Sequence, residues 1–385
     1  MYKRLLEISL SSKESCFLWG PRQTGKSTLL RTLFPETKTY DLLLSSEYRR
    51  LLSNPSLIRE ELDALGLTGE NQQYPVIIDE VQKVPDILDE IHWLIENRGI
   101  RFILCGSSPR KLKRSHANLL GGRAVLYELF PLVSSEINNF SLHSALNRGL
   151  IPRHYLSETP KELLQSYIAS YLREEIAEEA MIRKIPSFNR FLEMASLSNG
   201  EIINYNNIAM ECGISAPTVK EYYQILEDTL IGKFLPSFMK RAKRRVIHAP
   251  KFYFYDVGIV SELARRGDVV EGSELFGRAF EHFIYMELKA HSSYSAKKYG
   301  IHYWRTASMY EVDFILGDGE IAVEIKSSAS ANDSHMKGLR AYKEEHSAKK
   351  YILVSRDPNP RKTSDGIDIL PWKIFLERLW SGDIL

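Results

Sequence analysis

The chain has 385 residues, 44% of them apolar and 26% charged, and a formal net charge of +2. These are ordinary globular values that exclude wholesale disorder, and the length exceeds one typical core, so two or three domains are expected. So small a net charge does not by itself argue for nucleic acid; that argument has to come from local clusters.

The three cysteines, Cys16, Cys105 and Cys212, are isolated and odd in number. They read as core thiols of a reducing compartment rather than as disulfides or zinc ligands. Met1-Tyr2-Lys3-Arg4 is followed by no signal-like apolar stretch, and no apolar run is long enough to span a bilayer. The expectation is a cytoplasmic protein with no membrane partner.

In chain order, the first element is the short apolar run Ser15-Cys16-Phe17-Leu18-Trp19, which reads as a fully buried parallel strand. Gly20-Pro21-Arg22-Gln23-Thr24-Gly25-Lys26-Ser27 follows and fits G-x-x-x-x-G-K-[ST], and Ser27 to Leu33 then reads as a helix with Thr28 in its first turn. Glycines let backbone N–H groups close around phosphates, the helix start favours negative charge, Lys26 neutralises β- and γ-phosphate oxygens, and the Ser27 hydroxyl suits Mg²⁺. The implied cofactors are ATP and Mg²⁺.

A second buried run, Tyr74 to Ile78, delivers Asp79 and Glu80 at its C-terminal end, where ligands bind in open α/β sheets. Asp79 is expected to serve the Mg²⁺ ion and Glu80 to polarise the attacking water. The third run, Arg101 to Cys105, ends in Gly106-Ser107-Ser108, and Ser107 is the candidate for positioning water or sensing the γ-phosphate. After a basic helix-like segment from Pro109 to Leu120, Arg123 stands at the mouth of a fourth run, Ala124 to Tyr127. It reads either as a residue reaching a γ-phosphate, in cis or across a subunit interface of a homo-oligomer, or as a surface arginine.

The segments G-P-R-Q-T-G-K-S, I-I-D-E-V-Q-K-V-P, F-I-L-C-G-S-S and G-G-R-A-V-L-Y-E-L-F-P-L resemble, in order and spacing, the bacterial and archaeal AAA-type ATPases of the archaeal-ATPase group, which carry a C-terminal domain of unknown function. Pro250 to Gly258 and Gly277-Arg278-Ala279-Phe280-Glu281 extend the resemblance over most of the chain. It implies ATP binding and hydrolysis with a DNA-linked role.

From Pro160 to about Leu197 the apolar spacing is helical, and a helical connector packing on the nucleotide domain is expected. Arg173 within it is read as an exposed helix charge or as a second sensor. Next, Tyr205 to Cys212, the breaker Gly213, and a helix opened by Ser215-Ala216-Pro217 form a helix-turn-helix signature, the start of a winged helix. The face Thr218, Lys220, Glu221 and Gln224 is only mildly basic. Lys240-Arg241-Ala242-Lys243-Arg244-Arg245, on or beside the wing, is a denser cluster and reads as a polyanion contact or a solvated hairpin tip.

In the C-terminal third, two strand-like runs, Tyr310 to Leu316 and Glu320 to Lys326, flank Gly317-Asp318-Gly319, a hairpin signal. With Asp318-Gly319 as a two-residue loop, Gly317 pairs with Glu320, Leu316 with Ile321, Asp313 with Glu324 and Glu311 with Lys326. Two facing carboxylates repel unless a cation joins them, so a Mg²⁺ or Mn²⁺ ion is expected. Upstream, Glu281 borders the apolar side of a helix opened by Gly277.

A helical Glu, an Asp and then Glu-x-Lys resembles the active site of PD-(D/E)XK nucleases. The resemblance implies that Asp313 and Glu324 hold the metal, Glu281 assists through water, and Lys326 activates the nucleophile or steadies the phosphate. Val312 stands where that pattern usually has Pro. The other reading is a degenerate nuclease fold kept as a DNA grip.

The resulting expectation is an α/β chain: a P-loop parallel sheet over 1–140, a helical connector over 141–198, a winged helix over 199–262 and a nuclease-like domain over 263–385. The function read from it is ATP-dependent binding or processing of nucleic acid, DNA ahead of RNA. The alternative is an ATP-dependent signalling switch whose C-terminal part binds a partner.

Overall fold

The computed structural model describes residues 2–9, 14–110, 112, 120–176, 181–182, 184–240, 244–295 and 297–385. Three features named above lie outside it: most of the 109–120 segment, the side chain of Arg173, and Arg241 to Lys243 of the basic run. The chain divides into two compact units, Arg4–Phe130 with Asp228–Ile231, and Pro131–Glu227 with Gly232–Leu385.

The first unit is built on five parallel strands, β1 (Ser15–Trp19), β2 (Thr39–Asp41), β3 (Val76–Asp79), β4 (Phe102–Gly106) and β5 (Ala124–Glu128), in the order β2-β3-β4-β1-β5. All residues of β1, β3 and β4 are buried, as central parallel strands covered on both faces must be. The four apolar runs match four of the strands. β2, on the sheet edge, is three residues long with only Tyr40 buried, so it carries no apolar run to read. Because every strand is parallel, the loops after β1, β3 and β4 open at one end of the sheet.

The second unit contains a two-stranded antiparallel pair, β6 (Gly232–Leu235) with β7 (Lys251–Phe254). It also contains a six-stranded mixed sheet of β8 (Ile301–Arg305), β9 (Glu311–Leu316), β10 (Ile321–Ile325), β11 (Lys350–Ser355), β12 (Arg361–Lys362) and β13 (Asp368–Pro371), ordered β12-β13-β11-β10-β9-β8. The helix Glu274–Tyr294 begins at Ser273, whose side chain accepts from the Phe276 N–H. It therefore starts before Gly277, the cap chemistry of Ser273 outweighing the glycine. Its Phe276, Phe280, Phe283, Ile284 and Leu288 enter one core with Phe314, Val323 and Leu370, while Trp304, Ile315, Leu339, Tyr342 and Leu353 form another. The connector helices Pro160–Tyr167 and Ile185–Leu197 belong to this unit and pack on the helices Val257–Leu263 and Tyr205–Cys212.

The described parts of the chain between β6 and β7, 236–240 and 244–250, pack on the six-stranded sheet. They run along β8, with Phe238 N–H donating to Tyr303 O at 2.7 Å and Ile247 N–H to Arg305 O at 2.9 Å. Two of the three described basic residues of the run, Lys240 and Arg244, are neutralised there, while Arg245 is exposed. Lys240 pairs with Asp318 at 2.6 Å, and Arg244 pairs with Glu344 at 2.6 Å and Glu345 at 2.9 Å while lying over the Tyr310 ring.

Glu287 is one of several buried carboxylates that make the stability of this unit pH-dependent. Glu287 accepts from Ser134 N–H at 2.7 Å, Ser134 Oγ–H at 3.0 Å and Trp380 Nε1–H at 2.7 Å. Burial pushes its pKa up to about 7 against those donors. The folded state therefore keeps a proton that the unfolded chain loses near its ordinary value. The stabilisation is fully present below that ordinary value and is lost as pH rises through 7. Glu287→Gln should make the decline of urea midpoints between pH 5 and 8 shallower, removing this group's share of on the order of 3 kcal/mol across the window while Asp256, Asp313 and Glu324 keep theirs. A parent-like slope in the variant would assign it to other groups.

Candidate nucleotide and carboxylate sites

The loop Gly20 to Gly25 joins β1 to the helix Lys26–Leu33. Gly20 is held so close to the chain that a Cβ there would lie 2.5 Å from Leu129 O, and Gly25 has φ +94°. Only glycine fits both positions. Arg4 braces the loop through Thr24 O and Phe130 O, both at 2.6 Å, and Thr24 Oγ1–H closes on Pro21 O at 2.8 Å. Lys26 is buried and donates to Gly20 O at 2.5 Å and Pro21 O at 3.0 Å. Burial lowers its pKa, opposed by Cys105, Glu80 and Asp79. Arg22 is half-buried, and Gln23 and Thr28 are exposed.

β3 stands beyond β4 from β1, yet Ser27 Oγ–H reaches Asp79 Oδ2 at 2.6 Å. A hydroxyl and a carboxylate meeting at the loop are hard oxygen donors, which suits Mg²⁺. Glu80 is buried and takes a left-handed conformation, φ 58° and ψ 44°, a strain found where side chains are held for function. Its Oε2 accepts from Gln82 Nε2 and lies 3.4 Å from Ser107 Oγ, while Gln82 Nε2 also reaches Ser107 Oγ at 3.1 Å. Gln82 is the residue that sequence reasoning missed, because a neutral amide two positions after Glu80 carries no charge signal. Gly106 makes room for it: a Cβ there would meet Gln82 Oε1 at 2.2 Å.

Arg123 is placed elsewhere. Ser15 of β1 pairs with Ala124 and Trp19 with Glu128, so Arg123 sits at the N-terminal edge of the sheet, five strand residues from the phosphate loop. That is roughly 16 Å at the rise of a strand. Its Nε pairs with Glu96. An arginine there does not reach the γ-phosphate of its own chain.

Residues 12–138 match a family model described as an AAA domain. The N-terminal part is an AAA-type ATPase domain. The chain is therefore an ATP-hydrolysing enzyme, and its ATPase domain is followed by matches to two domains of unknown function, DUF8612 over residues 139–269 and DUF4143 over residues 276–375. An uncharacterized protein of Mycobacterium tuberculosis is 25% identical over 329 residues, covering 82% of this chain and 71% of that protein. Another, from Methanocaldococcus jannaschii, is 22% identical over 352 residues, covering 84% and 76%. Among solved structures, the Aeropyrum pernix Orc1 protein in complex with DNA matches 66% of this chain and 86% of its own at 13% identity, with a TM-score of 0.25, too low to carry an argument. No helix among the described residues is long and apolar enough to cross a membrane.

Downstream of the ATPase domain, the β9–β10 hairpin brings a second set of residues together. Leu316 pairs with Ile321, as the Asp-Gly register requires, followed by Ile315 with Ala322 and Phe314 with Val323. The turn differs: Glu320 N–H donates to Leu316 O at 3.1 Å, so Gly317 to Glu320 form a four-residue turn and Gly317 does not pair with Glu320. β9 also bulges. His302 pairs with Ile315 but Trp304 with Val312, which leaves β9 one residue more than β8 between those pairs. Bulges re-aim side chains. Asp313 lies in the bulge and its Oδ2 accepts from Ile325 N–H at 2.7 Å, taking the place of a ladder carbonyl.

The bulge also moves Glu311, which pairs with Lys251 at 2.7 Å and Arg305 at 3.1 Å rather than with Lys326. Lys326 Nζ instead reaches Glu324 Oε1 at 2.6 Å. Glu324 is 6% exposed, and its Oε2 has no hydrogen-bond partner. Burial pushes the Glu324 carboxyl up to about 7 despite Lys326, and burial with Glu324 and Glu281 nearby raises Asp313 well above the carboxylate range. An unpaired buried carboxylate oxygen beside a second carboxylate is a costly arrangement that a divalent cation would relieve.

Glu281, on the helix Glu274–Tyr294, accepts from Tyr253 Oη–H and lies 3.7 Å from Lys251 Nζ. Among the described residues no three His, Cys, Asp or Glu side chains converge as ready ligands of one ion. Lys251 went unread in the sequence although a signal was present: a lone lysine at the head of the fully buried strand β7 has to find anionic partners.

Proposed function

We propose that the chain couples its ATPase cycle to the binding and cutting of nucleic acid, DNA ahead of RNA. In this reading residues 199–262 form a winged helix and 263–385 a PD-(D/E)XK-like module. The observation that carries it is the buried Glu324 carboxylate, whose Oε2 has no partner, lying close to the buried Asp313 and beside the Lys326 ammonium. Asp313 and Glu324 would hold one Mg²⁺ or Mn²⁺, which supplies Lewis-acid stabilisation of phosphate charge. Lys326 places a cation beside the attacked phosphate, and Asp313 is fixed in direction by the Ile325 N–H. The two-carboxylate donor set of hard oxygens fits either ion.

At the nucleotide, the reading assigns Lys26 and the loop glycines to the phosphates, Ser27 and Asp79 to Mg²⁺, and Glu80 to the attacking water with Ser107 beside it. Gln82 is a positioning residue for Glu80. Gln82→Ala should leave nucleotide affinity near that of the parent and slow turnover roughly tenfold to a hundredfold, since a misplaced base loses orientation without disturbing the phosphate cradle. Fluorescent-nucleotide titration with a phosphate-release assay checks both halves.

The deciding experiment incubates the full chain with labelled duplex, single-stranded and branched DNA, with and without ATP and Mg²⁺. Metal-dependent nicking, or retention that changes with ATP, supports the reading. An ATPase rate indifferent to every DNA form, with no retention and no nicking, favours the signalling switch. That second reading has one observation behind it: Lys251 and Lys326 already neutralise much of the carboxylate cluster.

A further inference from the structure

Lys251 is 4% exposed, and an isolated ammonium so placed would lose its charge to burial. Here Glu281, Glu311 and Asp313 override the burial and keep it charged. Its Nζ stands 2.7 Å from Glu311 and 3.7 Å from Glu281, with the Tyr303 ring 5.4 Å away. These two glutamates come from different elements, β9 and the helix Glu274–Tyr294, and both reach the one ammonium. Both line a cleft of about 390 Å³ together with Lys251, Tyr253, Arg278 and Arg305. Asp313 and Glu324 stand beside this group, near enough that Glu281 raises the pKa of both and Glu311 that of Glu324. The chain thus holds two neighbouring pairs of carboxylates: Asp313 with Glu324, where one oxygen lacks a partner, and Glu281 with Glu311, bridged by an ammonium.

We propose that the Lys251 side chain occupies the second cation position of the carboxylate cluster, so that the site takes a single divalent ion at Asp313 and Glu324. An ammonium between two carboxylates supplies the local neutralisation that a second metal would otherwise bring, and being covalently attached it is not lost on dilution. The inference rests on reading Asp313 and Glu324 as ligands of one ion. It assigns Glu281 and Glu311 to Lys251 rather than to that ion. Without the ammonium, Glu281 keeps the Tyr253 hydroxyl and Glu311 keeps Arg305, but the charge between the two carboxylates is gone, and a divalent cation becomes their best partner.

The test counts Mn²⁺, the metal alone, bound by the full nucleotide-free chain carrying Asp79→Asn, which silences the phosphate-loop position. Equilibrium dialysis with electron paramagnetic resonance of free Mn²⁺ gives the stoichiometry. A single ion is expected in this background and with Lys251→Arg, and a second ion with Lys251→Met. Glu324→Gln should remove the first ion only; Glu281→Gln added to Lys251→Met should remove the second only.

Equal stoichiometry in the background and in Lys251→Met, or a second ion that survives Glu281→Gln, overturns the inference. No ion in the background but one in Lys251→Met that Glu281→Gln removes would uphold the role of Lys251 while sinking Asp313 and Glu324 as ligands. If Lys251→Met does not fold by itself, recovery of its circular dichroism on refolding with Mn²⁺ supports the inference. Failure to recover, together with no extra ion in a folded Lys251→Gln, overturns it.

Discussion

Asp313→Asn combined with Glu324→Gln is expected to abolish the rise in melting temperature that excess Mn²⁺ gives the nucleotide-free chain. An ion that binds the native state alone stabilises it by about 2.7 kcal/mol at a hundred times its dissociation constant. For a unit of this size that is a shift of roughly 5–10 °C. The two substitutions keep the shape of each side chain and remove the charge, so the metal-free proteins should melt at or above the parent, because two buried, mutually repelling carboxyls are gone. Lys326→Ala separates binding from chemistry. It should keep the Mn²⁺ shift and lose metal-dependent nicking, since Lys326 neutralises Glu324 without being a ligand. A parent with neither shift nor nicking would leave Asp313 and Glu324 as buried polar positions of the six-stranded sheet.

What the sequence discloses about this region, and what it hides, follow from the range of the interactions involved. The Asp-Gly turn and the alternation of Phe314, Leu316, Ile321 and Val323 are local, so the pairing of Leu316 with Ile321 could be read without coordinates. The bulge at Asp313 depends on β8, which lies outside the hairpin, and it redirects Glu311 from Lys326 toward Lys251 and Arg305. Lys251 enters from a strand sixty residues before Glu311 and leaves no spacing motif. The same division holds in the ATPase domain. Gly20 to Ser27 is contiguous and legible, whereas the position of Arg123 depends on β5 running parallel to β1, which puts residues just before the strand at the far end from the loop. The basic run was legible as charge but not as environment, because Glu344 and Glu345, which neutralise Arg244, are a hundred residues away.

Lys26→Ala and Glu80→Gln should separate nucleotide binding from hydrolysis. Lys26 is buried against the loop, donating to Gly20 O and Pro21 O, so its removal takes away two bonds that shape the loop together with the charge proposed to meet the phosphates. ATP affinity should fall below detection, and hydrolysis with it. Glu80→Gln leaves the Ser27–Asp79 contact and the loop intact and replaces only a carboxylate by an isosteric amide. Affinity should stay near the parent value while turnover falls about a hundredfold or more, the range expected when a positioned base loses its ability to accept a proton. The amide also has to share Gln82 Nε2 and Ser107 Oγ, which at present both approach the carboxylate oxygen, so Ser107 becomes the next most sensitive position. Fluorescent-nucleotide titration beside phosphate release reads the two quantities independently, and an equal loss of affinity in both variants would mean that Glu80 shapes the nucleotide site rather than activating water within it.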